Sequence, residues 1–130
     1  MHMAKYKPGV CNLDKAETAH RRKAGDFMLA LTVTATILLF VFSAQSLAVF
    51  IVVLFLSYLT AICYLQAKNR FCVQYAAAGK QNTSETSKKG AKPVAEDEAK
   101  ETDRAKANNM HAQAMFIGLV VASVVAILSL

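Results

Sequence analysis

The sequence has few charged residues, and long stretches have none. Charged side chains make up 18% of its 130 residues, against about 25% in a typical soluble domain. No charged residue occurs between Asp26 and Lys68, or after Lys106. All 15 basic and 9 acidic residues therefore lie in two polar blocks. This distribution excludes an ordinary soluble domain, a disordered chain and a disulfide scaffold, and it indicates a small multi-pass membrane protein.

The uncharged stretches have the length of membrane-spanning helices. A helix of about 20 apolar residues crosses a bilayer core about 30 Å thick. Apolar runs cover residues 27–43, 47–65 and 110–130, the last with a short polar lead-in. The connection between the first two runs is so short that it forces an antiparallel hairpin. We predict an all-α membrane protein, an antiparallel transmembrane helical hairpin plus a third transmembrane helix.

The charge distribution predicts the orientation in the membrane. Residues 1–26 hold six basic and three acidic groups, and residues 66–109 hold nine and six, whereas the hairpin connection has none. Lys and Arg are retained on the cytoplasmic side. We predict a plasma (inner) membrane protein with both polar blocks in the cytoplasm and the C-terminus outside. The basic residues next to the spans are expected to anchor this topology and can also contact anionic lipid headgroups: Arg21, Arg22, Lys23, Lys68 and Arg70.

The first polar block, residues 1–26, contains a predicted short helix over residues 12–26. Asn12 is a candidate N-cap. Glu17 and Arg21 have the i,i+4 spacing and order that favour an ion pair on a helix.

The second polar block, residues 66–109, is expected to be mostly solvated. Its first part, residues 66–78, is predicted to continue the second helix, with an apolar face of Phe71, Tyr75 and Ala78. Residues 79–93 have too few apolar side chains to fold, so we expect a flexible linker, with Pro93 in the first turn of the next helix. Residues 94–109 lack an apolar stripe and indicate a solvated, partly ordered helix, with a favourable Glu96–Lys100 pair.

Residues that carry chemistry are scarce. The apolar runs at residues 27–43, 47–65 and 114–130 contain no Asp, Glu, Lys, Arg or His, the residues that mark pumps, ion paths and carriers, so a small-molecule carrier is the least favoured hypothesis. The sequence has no phosphate-binding Gly loop, paired-carboxylate site or nucleophile–base motif. The basic residues flank the spans without interleaved aromatics, which disfavours nucleic acid as a partner. We therefore predict a protein that is not an enzyme and needs no cofactor.

Small residues spaced four apart let membrane helices approach closely. Three pairs have this spacing: Ala30 with Thr34, Ser57 with Ala61, and Gly118 with Ala122. They are candidates for packing within the chain, or against another membrane protein or a second copy. The favoured hypothesis is therefore a structural or accessory subunit of a membrane assembly.

Three cysteines leave an odd thiol count. The predicted topology places Cys11 and Cys72 on the same side of the membrane, and Cys63 near the same end of the second span. Cys11 and Cys72, together with His20, are a weak candidate metal cluster. No Cys-x-x-Cys pair supports it. Free thiols are the default in a reducing cytosol. A cytosolic-face thiol or metal site at Cys11 and Cys72 is the alternative hypothesis.

Two short motifs contain these cysteines. Gly9-Val10-Cys11-Asn12 precedes Glu17 and Arg21-Arg22, and Gln66-Ala67-Lys68 precedes Phe71-Cys72. Both resemble motifs in a family of small uncharacterised bacterial integral membrane proteins, with a G-x-C-N start and a Q-A-K/R-x-x-F-C pattern after a transmembrane hairpin. The stretch after Cys72 departs from the Gly/aromatic-rich segment of that family. The resemblance implies an architecture and a bacterial source, a paired-thiol or shared structural role for Cys11 and Cys72, and no activity.

Overall fold

The computed structural model describes residues 6–81 and 92–130, which form four helices and one short β-ladder. The helices are α1 (Lys15–Val41), α2 (Ser46–Asn69), α3 (Val73–Ala78) and α4 (Asp97–Leu128). Strand β1 (Lys80–Gln81) pairs antiparallel with strand β2 (Lys92–Pro93). The predicted all-α class is confirmed.

Three of the helices, α1, α2 and α4, are long and apolar enough to cross a membrane. Many of their large apolar side chains point outward, and Phe27, Phe55 and Phe116 are each more than 60% exposed. Contiguous apolar surface of this extent is unfavourable in water. A bilayer is the solvent that such helices require, so the chain is a multi-pass membrane protein.

Helices α1 and α2 form the predicted antiparallel hairpin. The turn between them is closed by backbone hydrogen bonds from Phe42 to Leu38 (3.0 Å) and from Ala44 to Leu39 (2.9 Å). Ser43, at φ 53°, reverses the chain direction. Helix α2 packs against both α1 and α4, whereas α1 and α4 have little or no contact with each other. The spans therefore form one layer with α2 in the middle.

Helix α1 differs from the prediction in its length and its cap. It runs without a break from Lys15 into the first span, instead of forming a separate short helix. The N-cap is Asp14, whose side chain accepts a hydrogen bond from the Glu17 backbone N–H (2.7 Å), and not Asn12. The predicted Glu17–Arg21 pair is present, with 3.7 Å between the charged atoms.

The segment after α2 also differs from the prediction. Helix α2 ends at Asn69, because Arg70 adopts a left-handed conformation (φ 51°), and α3 follows as a separate short helix. Phe71 is fully buried, but Ala78 is exposed, so the predicted apolar face of Phe71, Tyr75 and Ala78 is wrong. The residues of α3 that pack inward are Val73 and Ala76.

The linker prediction falls mostly on residues 82–91, which lie outside the described residues. At its ends, Lys80 pairs with Pro93 and Gln81 with Lys92. Pro93 therefore lies in a strand rather than in a first helical turn. The expected Glu96–Lys100 side-chain pair is replaced by Lys100 with Asp97 (3.7 Å), since Glu96 is the N-cap residue.

Helix α4 is one continuous helix that includes most of the segment expected to be solvated. A stripe of mostly small residues is buried along its whole length: Ala99, Asp103, Ala107, Met110, Ala114, Gly118 and Ala122. The prediction of a helix without a packing face is wrong here, because alanines, which count as weakly apolar, allow close approach to α2 and α3.

Candidate functional site

The loop before α1 crosses the polar end of the helix layer and is tied down at several points. We call residues 6–13, with their partners Arg70, Cys72 and Asp103, the N-terminal clasp. The backbone N–H groups of Asn12 and Leu13 both donate to the Arg70 carbonyl, at 3.0 and 3.1 Å. Leu13 is fully buried. The clasp thereby connects the start of α1 to the end of α2.

Asn12 makes a reciprocal pair of hydrogen bonds with the backbone of Cys72. Its Nδ2 donates to the Cys72 carbonyl (3.1 Å), and its Oδ1 accepts from the Cys72 N–H (2.6 Å). Asn12 is fully buried, and Cys72 is almost so. The two motifs singled out in the sequence therefore meet through Asn12 and the main chain of Cys72.

Asp103 joins the clasp to α4. This carboxylate is fully buried, and it accepts hydrogen bonds from the Tyr6 hydroxyl and the Gly9 N–H, each at 2.7 Å. Burial, followed by the hydrogen bond to Asp103, raises the pKa of Tyr6 above its usual value. Sequence reasoning missed Asp103. The sequence feature that could have indicated Asp103 is its i,i+4 spacing with Ala99 and Ala107. This spacing places one acidic residue on a helix face of otherwise small residues.

Gly9 is required by the geometry of the clasp. It adopts φ 68°, a left-handed conformation that glycine tolerates best. A Cβ at this position would lie 2.7 Å from Cγ2 of Thr102 on α4. The first residue of the Gly-Val-Cys-Asn motif thus allows the clasp to approach α4.

Cys11 and Cys72 are both buried free thiols in the clasp. The Cys11 Sγ donates to the Leu13 carbonyl (3.3 Å), and the Cys72 Sγ accepts from Nη2 of Arg21 (3.3 Å). His20 is exposed on α1. Across residues 6–81 and 92–130, no three His, Cys, Asp or Glu side chains form a group that could hold a metal ion. The two thiols share one substructure, which His20 does not join.

Two of the three small-residue pairs are buried inside the helix layer. Ser57 and Ala61 on α2 are buried, and so are Gly118 and Ala122 on α4. A Cβ on Gly118 would lie 3.3 Å from both the Leu54 side chain and the Leu54 carbonyl oxygen, so this glycine permits close approach of α2 and α4.

The third pair, Ala30 and Thr34, is exposed on α1. The contact between α1 and α2 uses Thr32 instead, whose hydroxyl lies 3.1 Å from that of Thr60. Ala30 and Thr34 therefore face away from the other helices of this chain.

A groove of about 940 Å³ lies on one face of the layer, between α1 and α4 and above α2. We call it the membrane groove. Its walls are aliphatic, with Leu29, Val33 and Ile37 from α1, and Ile117, Val121 and Val125 from α4. Its floor is α2 between Val53 and Lys68.

Three of the hydroxyls along the membrane groove are already bonded. Thr32, Thr36 and Thr60 each donate to the carbonyl one helical turn earlier, at 2.7 to 2.8 Å. These three threonine hydroxyls therefore offer no free donor to a polar solute.

The five predicted anchor residues lie at the polar end of the layer but differ in their surroundings. Arg21 is partly buried between Glu17 and Cys72. Arg22 and Lys68 line the end of the membrane groove, and both are exposed. The other two, Lys23 and Arg70, are exposed and do not line it.

Comparison with known protein families, characterised proteins and solved structures finds no match to this chain.

Proposed function

We propose that this protein is a non-enzymatic structural subunit of a membrane assembly, which packs through the outer face of α1 against a helix of another membrane protein or of a second copy. The observation that carries the proposal is the exposure of Ala30 and Thr34, while the other two small-residue pairs are buried within the chain. Helices in lipid associate where small side chains let the backbones approach.

The residues around Ala30 and Thr34 support this assignment. Phe27 is 68% exposed and Leu38 is 49% exposed, so large apolar side chains flank the small pair on the same helix. Such an arrangement offers a depression into which a side chain of a facing helix can insert. The hydrogen bonds between the described residues, by contrast, lie mainly in the clasp and within or between the helices of this chain.

The proposal includes an orientation. The clasp and the five anchor residues Arg21, Arg22, Lys23, Lys68 and Arg70 lie at one end of the layer, and we assign this end to the cytoplasm. The C-terminus of the chain then lies outside. A plasma membrane location, and the bacterial source implied by the two motifs, belong to the same proposal.

Affinity purification of the full chain from native membranes in mild detergent tests the function. We expect a stable complex, with a partner or with a second copy, that Ala30→Leu disrupts, because the longer side chain separates the helices. Ala48→Leu is the matched control, since Ala48 is exposed on α2. A strictly monomeric wild-type particle would overturn the proposal, as would equal complex yields from both variants.

A thiol site in the clasp is the second candidate function. It is favoured by the position of Arg21, whose Nη2 donates to the Cys72 Sγ while its buried Nε has no hydrogen-bond partner among the described residues. Elemental analysis and thiol labelling of the purified protein test this candidate. Two cysteines that label at ordinary rates, together with no bound metal, would rule it out.

A further inference from the structure

The membrane groove ends at two basic side chains. Neither Arg22 on α1 nor Lys68 on α2 forms an ion pair with any residue in the described ranges. The nearby acid on α1, Asp26, lies one helical turn after Arg22 and accepts a hydrogen bond from the Tyr64 hydroxyl (2.5 Å). The end of an apolar groove therefore carries two positive charges against one carboxylate that is already hydrogen-bonded.

We infer that the membrane groove is a binding site for an anionic glycerophospholipid. The phosphate lies between Arg22 and Lys68, and an acyl chain follows the aliphatic walls between α1 and α4. Basic side chains just outside the hydrocarbon core lie at the level of the headgroups. The charge at the groove end and the apolar lining together match the two parts of such a lipid.

The length of the membrane groove fits one acyl chain. From Arg22 to Ile37, α1 rises about 22 Å along its axis. One leaflet of the hydrocarbon core is about 15 Å thick. A chain that begins below a phosphate at Arg22 can therefore lie in the groove for the full depth of its leaflet.

The charges at the end of the membrane groove favour a lipid over a transmembrane helix, because a lipid carries a phosphate at one end of an apolar chain. The bonded hydroxyls of Thr32, Thr36 and Thr60 disfavour a polar solute. The inference does not depend on the proposed function, because Ala30 and Thr34 do not line the groove.

Native mass spectrometry of the full chain in mild detergent tests the site, with phosphatidylglycerol or phosphatidylcholine of identical acyl chains added. We expect one phosphatidylglycerol to bind more tightly than phosphatidylcholine, and the double variant Arg22→Gln/Lys68→Gln to lose roughly 30-fold in affinity for it. Lys15→Gln/Arg104→Gln is the matched control, which removes two exposed charges outside the groove. It should retain the preference. Equal binding of the two lipids, or equal losses in the two double variants, would overturn the inference.

A photo-crosslinking amino acid in place of Val33 identifies the occupant in native membranes. Val33 lines the membrane groove and is 51% exposed. We expect an adduct with the mass of a phospholipid, and Val33→Trp should lower phosphatidylglycerol binding by filling the groove. An adduct with a polypeptide, whether a partner or a second copy, would contradict lipid occupancy.

Discussion

Asn12 and Cys72 are 60 residues apart in the chain, yet the Asn12 amide forms two hydrogen bonds with the Cys72 backbone, at 2.6 and 3.1 Å. The side chain of Asn12 acts there like the edge of a neighbouring strand, offering one donor and one acceptor. Through this pair, the residues before α1 are attached to the residues between α2 and α3. The short Gly-Val-Cys-Asn motif therefore has a structural role, because it connects the start of α1 to the end of α2.

Replacing Asn12 with Ala should destabilise the clasp. Both hydrogen bonds are lost, and the buried Cys72 N–H is left without a partner, which costs about 1–3 kcal/mol. Thermal unfolding in detergent, followed by circular dichroism, measures the change. Asn108→Ala is the control, since Asn108 is exposed on α4. Identical midpoints for the two variants would contradict the assigned role of Asn12.

The bond between Tyr6 and Asp103 should make the clasp sensitive to alkaline pH. The neutral Tyr6 hydroxyl donates to Asp103, and the pKa of Tyr6 is raised above its ordinary value of about 10. The stability that this hydrogen bond contributes is therefore fully present below about pH 10. It is lost as the pH rises through the higher pKa of Tyr6 in the folded state.

The variant Tyr6→Phe isolates this contribution. We expect it to be less stable than the wild type at pH 8, and the difference in unfolding midpoint to shrink as the pH rises above about 10. A difference that is constant up to pH 12 would show that the clasp does not raise the pKa of Tyr6.

Gly9→Ala should weaken the same clasp through the backbone. A non-glycine residue is strained at φ 68°, and its Cβ would press against Thr102. We expect a loss of about 1–3 kcal/mol in unfolding free energy. Adding Thr102→Ser removes the Cγ2 atom and should restore part of the loss. No rescue at all would assign the cost to the conformation alone and not to the contact with α4.

Gly118→Leu should separate α2 from α4. The new side chain would enter the space now filled by Leu54, and overpacking of this kind costs about 1–3 kcal/mol. Ser123→Leu on the exposed face of α4 serves as the comparison. Thermal unfolding of both variants should show a lower midpoint only for Gly118→Leu. An unchanged midpoint would mean that the contact between α2 and α4 is not tight at Leu54.

Cysteine accessibility should report the proposed orientation. In Ser43→Cys, the thiol lies in the hairpin turn and is expected to react with a membrane-impermeant maleimide from outside the cell. In Lys23→Cys, it should react only after the inner face is exposed. The wild type supplies the background from Cys11, Cys63 and Cys72. Labelling of the turn from the inner face alone would reverse the orientation.

The three spans and the hairpin could be predicted from the sequence because they depend on local properties. An uncharged apolar run of sufficient length is a span whatever its neighbours are, and a four-residue connection leaves its two helices antiparallel. The Glu17–Arg21 pair was predictable for the same reason, since its partners are one helical turn apart.

The clasp was not predictable in this way. Asp103 bonds to Tyr6 and Gly9 across more than 90 residues of chain, and no local pattern reveals such partners. Helix propensity alone made Asn12 a plausible N-cap, but its side chain bonds to Cys72 and Asp14 caps the helix instead. The buried stripe of α4 could not be predicted from the sequence. An alanine allows close packing, but it indicates a packing face only when the facing helix is known.

The all-α class, the two charged blocks and the three spans follow from the amino-acid sequence, because hydropathy and chain length act locally. The faces at which those spans meet depend on the tertiary structure. It buried Gly118 against α2, left Ala30 exposed, and opened the membrane groove between α1 and α4 with Arg22 and Lys68 at its end. The reason is physical: packing and long-range hydrogen bonds depend on residues that are brought together only when the helices assemble.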